Sequence, residues 1–462
     1  MVILYLLAGL AALAVLAGLH WYAWRRLVRD TTVPRGAARR LGTAVFIVGP
    51  LLMVGALVSS RTGVPFVLQQ ILAWPGYMWL ALAMYLLLAL LVGEAIRPLL
   101  RRFLEHRASR AAGAERDAAI LVGTAGGPAS GANTDAAPEP SRDAEPSRDA
   151  EAQATAGATA AGATATGVAG AASAAEPQPL TTGPRPSAPS RRLFVSRIIG
   201  GAAAVAAAGA VGQGTYSVLR GPRVKNVTIP LAKLPRSAHG YRIAVVSDIH
   251  LGPTLGRAHT QRIVDTINST QPDLVAVVGD LVDGSVADLG QAAQPLSRLA
   301  ARHGKFFVTG NHEYYSGAAE WVDHVRELGL RPLENERTEL HGFDLAGVND
   351  IGGESQGEGP DYEKALGDRD RTRASVLLAH QPVMIHDAVK HGVDLQLSGH
   401  THGGQLWPGN YVAELSNPTV AGLDTYGDTT LYVTRGAGAW GPPVRVGVPS
   451  DITVVRLASK QT

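Results

Sequence analysis

The chain has 462 residues, a formal net charge of +3 and a sequence pI near 9.1. It contains no cysteine, which excludes disulfides and thiolate metal sites, so a metal site here must be built from His, Asp, Asn and Glu. Its arginines crowd beside apolar segments, the pattern of membrane topology and not of a nucleic-acid groove, and no stable nucleic-acid partner is expected.

Residues 1–110 read as a membrane domain with three transmembrane helices, at about 2–24, 41–59 and 72–96. The first lacks the charged start of a cleavable signal peptide and ends in an aromatic belt of Trp21, Tyr22 and Trp24. Trp74, Tyr77 and Trp79 stand near the start of the third, and Glu94 falls at interface level near its end. Arg25, Arg26, Arg29, Arg35, Arg39 and Arg40 follow the first span, and Arg97, Arg101, Arg102, Arg107 and Arg110 follow the third. The loop after the second holds only Arg61. The positive-inside rule then puts the N-terminus outside and both arginine clusters in the cytoplasm.

Residues 111–190 are Ala, Gly, Thr, Pro and acidic residues, with Asp-Ala-Glu-Pro-Ser-Arg-Asp-Ala repeating around 135 to 150. So few large apolar side chains cannot bury a core, and the segment reads as a disordered linker. Residues 191–220 form a fourth span behind Ser190-Arg191-Arg192-Leu193-Phe194-Val195. That start resembles a twin-arginine export signal, with Ser196 where the pattern prefers Lys, and it names the twin-arginine export machinery as a partner. A fourth crossing carries residues 221–462 out of the cytoplasm.

From Tyr241 the texture changes to short apolar strands alternating with helical patterns. Strands are expected at 242–247, 273–279, 305–309, 343–348, 375–379, 395–397, 430–434 and 452–457, and helices near 257–269, 286–302 and 318–328. This alternation indicates an α/β domain with strands buried between helical layers. Each polar cluster falls at the C-terminal end of an expected strand, where open α/β sheets place their sites. In order they are Asp248-Ile249-His250, Gly279-Asp280-Leu281-Val282-Asp283, Gly310-Asn311-His312-Glu313, Ala379-His380-Gln381 and Gly399-His400-Thr401-His402. In the last, residues i and i+2 of an extended strand end point the same way, so both imidazoles can face one point.

These five clusters, in this order, resemble those of a calcineurin-like metallophosphoesterase over roughly Arg242 to Leu457. The resemblance implies a β-sandwich flanked by helices, a four-layer αββα arrangement, here preceded by transmembrane helices. It implies two divalent cations, with Mn, Fe, Zn or Co as candidates, that activate a hydroxide for attack on phosphorus. Asp248, His250 and His402 would hold one ion, Asn311, His380 and His400 the other, and Asp280 would bridge. His312 would be the catalytic group, as general acid to the leaving oxygen or as a cation on the phosphate. Glu313 would orient ligands, and Asp283 would do the same or only shape a turn. Gly436 to Arg445 resembles the closing segment of the membrane-associated bacterial branch, and could serve as structure or line the entrance. Trp407-Pro408-Gly409 could form an apolar rim or simply pack. The expectation is a membrane-anchored phosphoesterase of the cell membrane, multi-pass, with its catalytic domain extracytoplasmic and lipid-linked or cell-envelope phosphoesters as candidate substrates. The rival from another class is a non-catalytic membrane sensor that keeps the fold as a binding module.

Overall fold

Nearly unbroken apolar sequence sets the first helices of the computed structural model, which describes residues 2–124 and 191–461. They are α1 (Val2–Trp24), α2 (Ala37–Ser59), α3 (Phe66–Thr124) and α4 (Arg191–Leu219). Among the described residues, three segments are long and apolar enough to cross a membrane: Ala37–Ser59, Phe66–Ala118 and Leu193–Leu219. Helix α3 departs from the expected 72–96 span. It contains Pro75 and Pro98 and continues through the first residues assigned to the linker. Residues 125–190, which hold the rest of that linker and Ser190, lie outside the described residues, as do the side chains of Arg191 and Arg192.

Residues 1–100 and 191–462 form one unit, and the continuation of α3 belongs to a second. Within the first unit, Arg26 and Arg97 both pair with Glu94, at 3.1 and 3.0 Å, and Arg197 Nε donates to the Thr31 carbonyl at 3.0 Å. One end of the bundle thus gathers Arg26 just past α1, Arg97 of α3 and Arg197 near the start of α4.

The remaining chain builds two six-stranded sheets. The first holds β1 (Arg223–Leu231), β2 (Arg242–Val246), β3 (Leu274–Val278), β4 (Lys305–Val308), the two-residue β5 (Arg331–Pro332) and the C-terminal β12 (Asp451–Ser459), in the order β1-β12-β2-β3-β4-β5. The second holds β6 (Glu336–Leu340), β7 (Phe343–Gly347), β8 (Ala374–Leu378), β9 (Leu395–Ser398), β10 (Gly422–Tyr426) and β11 (Thr429–Val433), in the order β10-β11-β9-β8-β7-β6. Pairing is parallel except for β12 with β2, β10 with β11 and β6 with β7. Helices α5 (Arg257–Ser269), α6 (Val286–Ala293), α7 (Asn311–Ser316) and α8 (Ala318–Glu327) follow strands of the first sheet. Helices α9 (Tyr362–Leu366), α10 (Ile385–Lys390) and α11 (Gly409–Ala413) follow strands of the second.

Strand periodicity divides the core into layers. Ile243, Val245, Ala276, Val278 and Val308 face the second sheet, where they meet Leu345, Val376 and Leu397. Their alternates Ala244, Val246, Val275, Val277 and Phe307 face α5, α6 and α8. Tyr362, Leu366, Ile385 and Ala388 cover the outer face of the second sheet. The result is the expected helix–sheet–sheet–helix order. Strands buried on both faces are mostly apolar, whereas β1, β6 and β10 lie at sheet edges, carry more polar residues, and were not expected from the sequence.

Candidate metal centre

Both sheets direct their parallel strands so that the residues just past the C-terminal ends of β2, β3, β4, β8 and β9 converge. Asp248, His250 and His402 form one group and Asp280, His380 and His400 another, the candidate ligand atoms of each lying within 4.8 Å of one another. His250 Nε2 and Asp280 Oδ2 stand 3.8 Å apart, so the two groups adjoin at Asp280.

The backbone is bent out of its ordinary range to achieve this. Asp248, His250, Asp280, His400 and His402 all have left-handed φ values, between 48° and 72°. Such conformations cost about 1–3 kcal/mol each and persist only where the surroundings enforce them. Gly310 and Gly436 supply the close approach: a Cβ on either would collide with the Asp280 or the Asp248 side chain respectively.

Support for the first group comes from side chains far away in sequence. His250 Nδ1 donates to Asp283 Oδ1 at 2.9 Å, which turns Nε2 towards His402 Nε2 at 2.9 Å. Arg445 is buried and donates to the Gly438 carbonyl (2.7 Å), the His402 carbonyl (3.2 Å) and His402 Nδ1 (3.0 Å). A guanidinium has no acceptor, so His402 Nδ1 accepts and the ring proton sits on Nε2, where a cation would displace it. Burial, followed by His250 and Arg445, holds His402 well below the usual imidazole range, in the neutral form that ligates metals. Burial also brings Arg445 down to about 10, still charged at neutral pH. Ser247 Oγ donates to Asp248 Oδ2.

Local backbone holds the second group. His380 Nδ1 donates to the Val278 carbonyl at 2.9 Å, leaving the Nε2 lone pair 3.0 Å from Asp280 Oδ2. The His312 amide donates to Asp280 Oδ1 at 2.9 Å. Buried Glu313 accepts from the amides of Gly310 (2.6 Å), Leu281 (2.7 Å) and Asp280 (3.0 Å), and so ties the loop after β3 to the loop after β4. Burial, then Asp280, pushes the Glu313 carboxyl up to about 7 against these amides.

The donor set fits divalent cations. Asn311 Oδ1 and His400 Nδ1 are buried without a hydrogen-bond partner among the described residues. His380 Nε2 stands 3.0 Å from Asp280 Oδ2, a contact that needs a proton or a cation between the two atoms. Imidazole, carboxylate and amide oxygen together suit Mn, Fe, Zn or Co.

His312 stands at the mouth. Its Nδ1 donates to Asp283 Oδ1 at 2.7 Å, and its ring centroid lies 5.8 Å from that of Trp440 and 5.5 Å from that of Tyr315. Burial alone would raise the Asp283 carboxyl, but His250 and His312 outweigh it and carry it down to about 2. Asp283 therefore orients two imidazoles at once, which a turn residue would not do. Arg445 is the supporting residue that the motif pattern does not reveal. It sits inside a Gly- and Pro-rich loop and is buried.

Residues 241–404 match the calcineurin-like phosphoesterase family. A transmembrane protein with metallophosphoesterase domain from Danio rerio is 41% identical over 259 residues, 53% of this chain and 59% of that protein. An uncharacterized metallophosphoesterase of Helicobacter pylori is 37% identical over 275 residues, 59% of this chain and 74% of that protein. One from Bacillus subtilis is 31% identical over 284 residues, 58% of this chain and 98% of that protein. The chain spans about three fifths of the length of the Danio rerio and Bos taurus relatives. On this similarity, and with its His and Asp clusters at the strand ends, the chain belongs to the calcineurin-like phosphoesterase family.

Proposed function

We propose that the chain is a membrane-anchored, metal-dependent phosphoesterase whose catalytic domain faces away from the cytoplasm. The observation that carries this is the pair of ligand groups meeting at Asp280, with Asn311 Oδ1 and His400 Nδ1 buried and unsatisfied beside them. Asp248, His250 and His402 would hold one cation and Asn311, His380 and His400 the other, with Asp280 shared. Cations bound there would supply Lewis acidity, lowering the pKa of a water and neutralising charge on phosphoryl oxygens.

The chain's own groups do the rest. Asp283 accepts the hydrogen bond of His312 Nδ1–H, which fixes the tautomer and turns Nε2 towards the mouth. An imidazolium there, stabilised by the ionised Asp283, hands its Nε2 proton to the departing alkoxide oxygen as the ester bond breaks. Glu313 keeps the two loops in register while charge redistributes. A binding module has no use for a histidine so oriented, and this favours the enzyme over the sensor.

The orientation rests on the bundle. The catalytic domain packs on Tyr85 of α3 and Gly214 of α4, away from the end that gathers Arg26, Arg97 and Arg197. With the arginine end cytoplasmic, the domain lies outside. A reporter active only outside the cytoplasm, fused after Thr462, should be active, and Arg191→Lys with Arg192→Lys should silence it. A silent parent fusion beside a working cytoplasmic reporter would reverse the orientation.

A further inference from the structure

The loop that follows the His-x-His pair is built unlike a water-facing loop. Helix α11 has no buried residue, and Trp407, Tyr411, Val412 and Leu415 are 51%, 60%, 68% and 86% exposed. Four large apolar side chains in nine residues make a patch that calls for a partner. The position of the loop supplies one. Tyr85 Oη of α3 donates to the Trp407 carbonyl at 2.9 Å. Leu406, Val444 and Val446 pack against Ala81, Tyr85, Ala207 and Val211 of α3 and α4. At Gly214 the approach is so close that a Cβ would stand 2.6 Å from Val444 and 2.9 Å from the Arg445 carbonyl oxygen.

The helices act as rulers. Set Glu94 and Arg197 at headgroup level, as their charges and the pairing of Glu94 with Arg26 and Arg97 require. At 1.5 Å rise per residue, Tyr85 then stands about 14 Å up α3 and Val211 about 21 Å up α4. A hydrocarbon core is about 30 Å thick, so the contacts with Trp407 and Val444 fall near or beyond its midplane. Helix tilt only deepens them.

We propose that the loops 406–415 and 439–446 lie in the leaflet opposite the arginine clusters, and that the metal centre takes its substrate from that leaflet: a phosphoester carrying a long hydrocarbon chain. The substrate part rests on the phosphoesterase reading above. The embedded loops are those that build the centre. Leu406 follows His402 by four residues, Gln405 Nε2 donates to the Trp440 and Pro442 carbonyls, and Trp440, 56% exposed, flanks His312. A phosphoester reaching His312 past Trp440 would have its chain among Trp407, Tyr411 and Leu415, and binding energy from that remote part would be spent at phosphorus.

The test uses the full chain, Mn-loaded, in phosphatidylcholine–phosphatidylglycerol nanodiscs. The probes are p-nitrophenyl hexadecyl phosphate and p-nitrophenyl ethyl phosphate, which share phosphorus and leaving group and differ only in the chain. The hexadecyl ester should show a kcat/KM at least about tenfold higher. Tyr411→Ser, Val412→Ser and Leu415→Ser combined should remove that advantage and leave the ethyl ester within about twofold. A second readout needs no activity. The chain has no cysteine, so Leu415→Cys takes a single environment-sensitive fluorophore. Lipids carrying a nitroxide on the acyl chain should quench it strongly and aqueous iodide weakly, with the reverse at Asp368→Cys, beside Arg337 of edge strand β6. Equal rates on both esters, or a fluorophore at 415 quenched by iodide and not by lipid, overturns the proposal. If the metal-loaded chain cleaves neither ester, the phosphoesterase reading falls and the substrate class with it, while the fluorophore still decides where the loop lies.

Discussion

The two ligand groups use similar residue types and are held in opposite ways. Asp248, His250 and His402 are braced by three side chains, the adjacent Ser247 and the distant Asp283 and Arg445, with Gly436 making room. Asp280 and His380 are braced by backbone, through the Val278 carbonyl and the His312 amide, and the neighbouring Asn311 Oδ1 and His400 Nδ1 have no partner among the described residues. The first group is therefore preorganised by long-range packing that reaches the membrane helices through Arg445, whose own amide donates to the Gly214 carbonyl at 3.2 Å. The second depends on local turns and on the cation itself. Outer partners of this kind tune metal affinity as much as the ligands do.

The harshest way to break the contrast is to remove the carboxylate both groups share. Asp280→Asn should abolish activity and metal binding together, and elemental analysis beside a turnover assay reads both. Next comes His312→Ala, at a residue that groups with His250 and Asp283 but is given no ligand role in the proposed mechanism. It should retain metal yet lose about 10²–10⁴-fold in kcat/KM on an alkyl ester, and less on an activated aryl ester that departs without a proton. Equal losses on both esters would instead make His312 a phosphate clamp. The contrast itself is sharpened by Arg445→Met and Asn311→Ala. Each should cost about 10–100-fold in metal affinity or activity. Excess metal should rescue Asn311→Ala in large part, because its loop is held by Glu313, and Arg445→Met hardly at all, because His402 loses two hydrogen bonds and the Gly438 loop a third. Equal rescue of both variants would dissolve the distinction.

The candidate ligand residues were readable because each sits where an apolar run ends, and Asp, Asn and His at five such ends suggest one chemistry. Strands β2, β3 and β8 were legible for the same reason, since burial on both faces leaves them almost wholly apolar, with only Arg242 at the start of β2 and Ser375 in β8 as exceptions. The edge strands β6 and β10 were not, because Glu336-Arg337-Thr338-Glu339-Leu340 reads as a turn until a neighbour supplies its hydrogen bonds. Arg445 was equally opaque. Its partner His402 lies 43 residues away, and no local pattern announces that a guanidinium will be buried against an imidazole. Helix α3 passes Pro98, where local rules would stop it.

A smaller effect concerns the layer behind the first group. His259 of α5 is buried with neither ring nitrogen partnered among the described residues, and burial, then Arg262 and Arg445, bring it down to about 3. Its folded pKa lies below its unfolded value, so the unfolded chain binds the extra proton between those limits. Stability is then full above about pH 6.5 and falls by about 1.4 kcal/mol per pH unit as pH drops towards 3. His259→Gln should flatten the acid side of the stability profile of the full chain in detergent. Identical slopes for the two proteins would show that His259 is not the group responsible.

Metal content and turnover measured on the same sample decide whether the centre is a metal-dependent catalyst. The full chain, stripped exhaustively with a chelator and then titrated with Mn, Fe, Zn or Co, should be inactive on an aryl phosphoester when metal-free. Activity should return as cations fill the centre and saturate near two per chain. Undiminished hydrolysis by protein that elemental analysis shows to be metal-free would contradict the account.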